Sequence, residues 1–200
     1  MQPRVTQHES LIDVDDSILI VIDVQDSFLE RLPVDVRELL VNRIGWLVSV
    51  ATRLGVSLVV TAEDIPKHGG VASPIATRLP HETSVLNKMV FGLAEDCQII
   101  NAVKRTGRRT AVLVGLETDV CVAQSAIGLL QLGYRVVVVA DATGSPGTGH
   151  DMGLERVRRA GVLVSSVKSL YYEWIRTVDR AVEFWEKYGA EIGLPDGVTL

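Results

Sequence analysis

Three residues of this 200-residue chain have types suited to covalent and proton chemistry and fall where apolar runs end: Asp23, Lys88 and Cys121. Cys121 lies in Gly115-Leu-Glu-Thr-Asp-Val-Cys-Val122, where a β-branched run gives way to a helical pattern. A thiol in the first turn of a helix meets unpaired N–H groups and the positive end of the dipole, which stabilise a thiolate. The same N–H groups hold an oxyanion. Thr118 or Asp119 is the expected cap of that helix. A small apolar filler at a helix start is the competing reading, and position alone does not choose between them. A nucleophilic Cys needs a proton acceptor and a charge partner. No His is placed for that role, whereas Asp23 and Lys88 end other runs on the same side. Asp23 alone suits a cap and Lys88 alone suits solvent. Together the three form a constellation that is less often structural than any one member.

The elements that must carry these residues show as an alternation. Short β-branched runs lie at Ile18–Ile22, Ser57–Thr61, Ala111–Val114, Arg135–Ala140 and Val162–Val164, with a weaker one at Ser84–Asn87. Continuous apolar runs suit strands buried on both faces, as in a parallel sheet. Asp35–Leu54, Glu95–Thr106, Thr118–Leu132 and Gly149–Ala160 carry helical spacing, and Gly55, Gly107, Gly133 and Gly161 follow them as stops. Repeated helix-Gly-strand units predict an α/β fold, an open and mostly parallel sheet with helices on both faces. Lys168–Lys187 reads as one further helix, packed outside. An amino-terminal arm over residues 1–15 and one domain over 16–200 are expected. Ligands of such sheets sit beyond the carboxyl ends of the strands. Asp23, Gln25, Glu63, Asp64, Lys88, Glu117 to Cys121 and Asp141 fall there.

Composition narrows the partners. A net charge of −5 and a pI near 5.4 argue against nucleic acid and anionic membranes, whose binding draws on Lys and Arg. No apolar run approaches the ~20 residues that span a bilayer, and the first residues hold no signal-peptide core. Two cysteines, Cys97 and Cys121, make no disulfide framework, so a reducing, cytoplasmic setting is expected. Gly144-Ser-Pro-Gly-Thr-Gly-His150 has the glycine spacing of a phosphate loop. His150 and Asp151 stand where Lys and Ser or Thr are needed, so it reads as a turn-rich loop. His8, His68 and His81 read as solvated, and no C-x-x-C or second zinc-binding His is present, so no metal or cofactor is expected. Cys97, within a helical pattern, reads as a buried or half-buried structural thiol.

The segments Ile-Asp23-Val-Gln25-Asp-Ser-Phe28, Asn87-Lys88-x-x-Phe91 and Gly115-Leu-Glu-Thr-Asp-Val-Cys121-Val-Ala-Gln-Ser-Ala resemble those of the isochorismatase-like cysteine hydrolases. The likeness continues through Val-Ala-Asp141-Ala and Arg159-Ala-Gly161-Val and covers roughly residues 16 to 175. It implies a three-layer, Rossmann-like fold with a six-stranded parallel sheet and an Asp–Lys–Cys triad on Asp23, Lys88 and Cys121. It also implies a non-proline cis peptide, placed here at Leu116–Glu117, that aims the Glu117 N–H with that of Cys121 at an oxyanion. Nicotinamidases of the superfamily carry an Asp-x-His metal motif after the second strand. Thr61-Ala-Glu-Asp-Ile-Pro-Lys-His68 has none, which points away from metal-dependent nicotinamide hydrolysis. Isochorismate hydrolases usually lack the nucleophilic Cys that this chain keeps, so C–N hydrolysis is expected over vinyl-ether cleavage. A homo-oligomer, dimer or higher, is implied as well, with Trp174 and Trp185 as candidate interface residues.

On this reading the chain hydrolyses a small amide-type substrate through a thioester. Asp23 takes the thiol proton, returns it to the leaving amine and then activates water. Lys88 stabilises the negative charges and holds Asp23. The N–H groups of Glu117 and Cys121 hold the oxyanion. Phe28 and Phe91 are expected to wall the pocket and Thr118 to touch substrate. Glu63 reads as a solvated loop carboxylate within reach of it. Isochorismate-like hydrolysis and a non-catalytic small-molecule binder are the alternatives, and an intact triad argues against the binder.

Overall fold

The apolar runs become the strands of one six-stranded, all-parallel sheet in the order β3-β2-β1-β4-β5-β6. The computed structural model describes residues 11–199. In chain order the elements are β1 (Ser17–Ile22), α1 (Asp26–Leu29), α2 (Val34–Arg53), β2 (Ser57–Glu63), α3 (Ile65–His68), α4 (Ser73–Ala76), β3 (Val85–Lys88) and α5 (Cys97–Arg105). There follow β4 (Thr110–Leu116), a π-helical turn (Thr118–Val122), α6 (Ala123–Gln131), β5 (Arg135–Gly144), α7 (Gly149–Arg159), β6 (Leu163–Ser165), α8 (Val167–Ile175) and α9 (Val178–Ile192).

Every residue of β1 and β4 is buried, as covering both faces of a parallel sheet requires. Leu19 and Val21 pack in one layer with α2, α8 and α9, while Ile18, Ile20 and Ile22 pack in the other with α5, α6 and α7. The chain builds β1, β2 and β3 outward on one side and then crosses to β4 on the other. That reversal opens a crevice at the carboxyl ends of β1 and β4, the place where doubly wound sheets bind ligands. Gly115 lets the two strands meet there. Its φ is +120°, and a Cβ at this position would lie 1.9 Å from the Ile22 carbonyl oxygen.

Several elements differ from expectation. β2 runs on to Glu63, so that carboxylate belongs to a strand and not to a solvated loop. Lys168–Lys187 is two helices, α8 and α9, broken at Arg176 with φ +73°. The Thr177 side chain then caps α9 by accepting from the Arg180 N–H. α8 does not pack outside, because Leu170, Tyr171 and Trp174 are fully buried and Trp174 Nε1 donates to Ser17 Oγ at 3.0 Å. Trp174 is therefore unavailable to a subunit interface, and Trp185 is half-buried against the same core. Cys97 is exposed, since Asp96 caps α5 by accepting from the Gln98 and Ile99 N–H groups and leaves Cys97 at the first helical position. Within residues 11–15 of the expected arm, Ile12 and Val14 lie in the core, while Leu11, Asp13 and Asp15 are exposed. The remainder of that arm, including His8, lies outside the described residues. No helix among the described residues is long and apolar enough to cross a membrane.

Candidate active site

β1, β2, β3 and the turn after β4 end together, and each delivers one polar side chain to the same point. Asp23 follows β1 with φ +49°, a left-handed conformation that Asp adopts more readily than most residues. Its side chain is 1% exposed; Oδ1 accepts from Thr61 Oγ1 at 2.8 Å and Oδ2 lies 2.9 Å from Lys88 Nζ. Lys88 ends β3 directly opposite Glu63, which ends β2. The Lys88 ammonium, wholly buried, donates to the Val90 carbonyl at 2.6 Å, the Glu63 Oε2 at 3.4 Å and the Cys121 Sγ at 3.6 Å. The Cys121 thiol donates to Glu63 Oε2 at 3.4 Å. A buried ammonium is costly unless its charge and hydrogens are matched. Here the carboxylates and the carbonyl match them. One oxygen each of Asp23 and Glu63 and the Cys121 sulfur lie within 4.8 Å of one another, a donor set of the kind that suits a divalent ion. The Lys88 ammonium already supplies the positive charge among them.

The electrostatics overturn one expectation. Burial pushes the Cys121 thiol far above its ordinary pKa, and the charges of Asp23 and Glu63 add to this against the opposing Lys88. The resting thiol therefore keeps its proton at neutral pH. Burial and the neighbouring carboxylates outweigh the helix start, and the expected cap is absent as well. The Thr118 hydroxyl pairs with His150 Nδ1 at 3.0 Å, and Asp119 accepts from Ser145 Oγ at 2.6 Å. Burial also raises Asp23, against the lowering effect of Lys88 and Thr61. Burial alone would lower Lys88, but Asp23, Cys121 and Glu63 outweigh it and hold the ammonium charged.

The cluster opens on a cavity of about 200 Å³. Phe28, Phe91, Leu116 and Val120 supply its apolar walls, and Cys121, Glu63 and Glu117 face it. The Leu116–Glu117 peptide is cis. Asp23 and Lys88 stand behind this wall. Thr118, expected at the substrate, is fully buried against His150 and does not line the cavity. Arg31, Lys67 and His68, none of them expected at the site, complete the lining. Arg31 stacks 4.6 Å over the Phe28 ring and pairs with Glu117 at 3.0 Å; their three-residue spacing around a helical turn is the one local hint. His68, read as solvated, is half-buried with its ring 5.2 Å from that of Phe28, whereas His81 is exposed. Gln25, wholly buried, clamps Glu63: Nε2 donates to the Glu63 carbonyl at 2.9 Å and Oε1 accepts from its N–H at 2.7 Å.

Comparison with known proteins agrees with this geometry. The isochorismatase domain profile matches residues 17–169. The secreted isochorismatase effector Isc1 of Phytophthora sojae (strain P6497) is 33% identical over 164 residues, 78% of this chain and 76% of that protein. Isochorismatase family protein 2A of Dictyostelium discoideum is 28% identical, over 80% of this chain and 82% of its own length. Among solved structures, one described as MAR1 ribonuclease from Caenorhabditis elegans superposes with a TM-score of 0.81 at 22% identity, covering 96% of this chain and 98% of that one. YcaC from Escherichia coli, described as an octameric hydrolase of unknown specificity, superposes with a TM-score of 0.79 at 19% identity, covering 96% and 95%. At these identities the two structures speak for the fold alone. The profile covers most of the chain and falls on the strands that carry Asp23, Lys88 and Cys121, so the chain belongs to the isochorismatase family of hydrolases.

Proposed function

We propose that this hydrolase cleaves a small amide-type C–N bond through a thioester on Cys121, with Asp23 and Lys88 as its charge partners. The observation that carries the reading is the buried ammonium of Lys88, which touches the Asp23 carboxylate and the Cys121 sulfur at once, behind a cavity that the thiol lines and Asp23 and Lys88 do not. A thiol that rests protonated beside carboxylates gives up its proton as it attacks, which suits a nucleophile formed on demand. Burial raises the Asp23 pKa above that of an ordinary carboxyl, which favours a proton acceptor. The backbone N–H groups of Glu117 and Cys121 are the proposed oxyanion donors, each worth ~2.7–4 kcal/mol in comparable sites. Phe28 and Phe91 wall the substrate. A cavity of about 200 Å³ falls below the ~300 Å³ at which drug-sized ligands begin to fit. The ribonuclease description of the Caenorhabditis neighbour is for this reason not carried over.

The reading extends to a cytoplasmic homo-oligomer. Both cysteines are free, and Met89 and Phe91 are exposed beside the site, leaving apolar surface for a second copy. The octameric description of Escherichia coli YcaC points the same way. The test is ammonia release from a panel of amides, ureas and carbamoyl compounds. The wild-type protein is expected to release ammonia from at least one, and Cys121→Ala from none while still folding. Activity retained in Cys121→Ala removes the nucleophile from the account.

A further inference from the structure

We propose that Ser145 and His150 are positioning residues of this hydrolase: they clamp the turn between Glu117 and Cys121 and so aim the two backbone N–H groups that meet the oxyanion. This rests on the thioester reading, and it gives a role to the glycine-rich segment whose spacing resembles a phosphate loop. Thr118 and Asp119 lie in the chain between the two donors, on a π-helical turn that has no side-chain cap of its own.

Residues 144–153 supply what the turn lacks. The buried Ser145 hydroxyl donates to Asp119 Oδ1 at 2.6 Å and accepts from the Asp119 N–H at 3.4 Å, so one side chain holds both the carboxylate and the backbone. His150 Nδ1 pairs with the hydroxyl of the fully buried Thr118 at 3.0 Å. Glycines let α7 come this close. A Cβ at Gly149 would lie 2.8 Å from Asp119 Oδ2, and one at Gly153 would lie 2.7 Å from the Asp119 nitrogen. A side chain at Gly153 would push α7 off the turn. Within the turn the Glu117 carbonyl accepts from the Val120 and Val122 N–H groups at 3.2 and 3.0 Å, on either side of Cys121. Movement of residues 118 and 119 is therefore passed to both donors.

The sulfur is held separately. Cys121 Sγ rests on Lys88 at 3.6 Å and Glu63 at 3.4 Å, which end β3 and β2. Ser145 and His150 do not line the cavity that Cys121 faces; they line another of about 610 Å³. They act on a substrate at Cys121 only through the turn. Loosening the clamp thus misplaces the backbone donors more than the sulfur. A reaction that builds an oxyanion suffers, and one that builds none is spared.

Two reagents for the same thiol separate these effects. p-Nitrophenyl acetate acetylates sulfur through a tetrahedral oxyanion, with p-nitrophenolate leaving. Iodoacetamide alkylates sulfur by direct displacement of iodide and builds no oxyanion. Both rates at Cys121 are read by peptide mass spectrometry in wild type, Ser145→Ala, His150→Phe and His150→Asn, below the temperature at which any of them unfolds. In Ser145→Ala and His150→Phe acetylation is expected to slow by about 10- to 100-fold, the scale on which misplacing a catalytic group acts, while alkylation holds near the wild-type rate. His150→Asn keeps a polar atom near the place of Nδ1 and is expected to recover most of the loss. With an amide that turns over, kcat should fall and KM hold. A wild-type ratio of the two rates in the variants that fold overturns the proposal, whether both reactions slow together or neither does. Should Ser145→Ala not fold, the two His150 variants decide. A wild-type protein that is alkylated at Cys121 but never acetylated there fails at the earlier step and sinks the thioester reading itself.

Discussion

Replacing Lys88 with Met tests whether the buried ammonium holds the site together. Its nitrogen is wholly buried, 2.9 Å from the Asp23 carboxylate, and bonded to the Val90 carbonyl and Glu63. Met matches the length of the stem but removes the charge. Asp23, itself 1% exposed, would keep only the Thr61 hydroxyl on one oxygen. Leaving a buried charge without its partner costs about 3–5 kcal/mol. For a chain of this length each kcal/mol moves Tm by ~2–4 °C, so Lys88→Met is expected to lower it by ~6–20 °C. Burial already raises the Asp23 pKa, and removing Lys88 removes the main opposing influence. A carboxyl raised on folding destabilises most above its folded pKa. The loss in Lys88→Met should therefore shrink as pH falls through that value toward the unfolded one near 3.8. The assay is urea unfolding of wild type, Lys88→Met and the double variant Asp23→Asn/Lys88→Met across pH. The double variant should recover part of the loss, because no charge is then stranded. A loss under ~1 kcal/mol, or one that neither acidification nor the second substitution relieves, would refute the account of a charge-matched cluster.

Three further outcomes follow from particular contacts. Cys121 should react with iodoacetamide with an apparent pKa above the ~8.5 of an ordinary thiol, because burial and the neighbouring carboxylates raise it; a value below that, read by peptide mass spectrometry, would restore the resting thiolate. Gly115→Ala should be strongly destabilising in thermal unfolding, since its Cβ would fall 1.9 Å from the Ile22 carbonyl at φ +120°, and an unchanged Tm would contradict the register of β1 on β4. Thr118→Val loses the bond to His150 but no cavity contact, so KM for an active amide should hold while stability drops by about 1 kcal/mol; a raised KM with unchanged stability would return Thr118 to the substrate.

The sheet was legible because its strands are buried on both faces and so read as unbroken apolar runs between helical patterns. Asp23, Lys88 and Cys121 were legible as residues that follow such runs. Gln25 and Glu63 were legible at strand ends too, but their mutual contacts, like the features that escaped, depended on register or on long-range contacts. Glu63 lies two residues beyond the last β-branched residue of its run, and only the pairing of β2 with β3 sets it opposite Lys88. Gln25 reaches it across 38 residues of chain, which no local pattern announces. His68 is brought to the cavity by the one-turn α3, too short to leave a periodicity. The break at Arg176 was hidden because apolar spacing continues on both sides of it, and Thr177 was the overlooked capping signal. Asp96 gave the same kind of signal before Cys97, and weighing it would have placed that thiol in an exposed first turn. The pKa of Cys121 needed the fold, since a dipole at a helix start is outweighed by burial between two carboxylates.

The central claim is that carbon from the substrate passes through a bond to one particular sulfur. Its most direct test is acid-quenched turnover of any amide from the panel that releases ammonia, followed by digestion and mass spectrometry of the Cys121 and Cys97 peptides. The account predicts a substrate-derived acyl group on the Cys121 peptide, absent from the exposed Cys97 and absent after Cys121→Ala. Turnover with neither peptide acylated, or with the acyl group on Cys97, would contradict it.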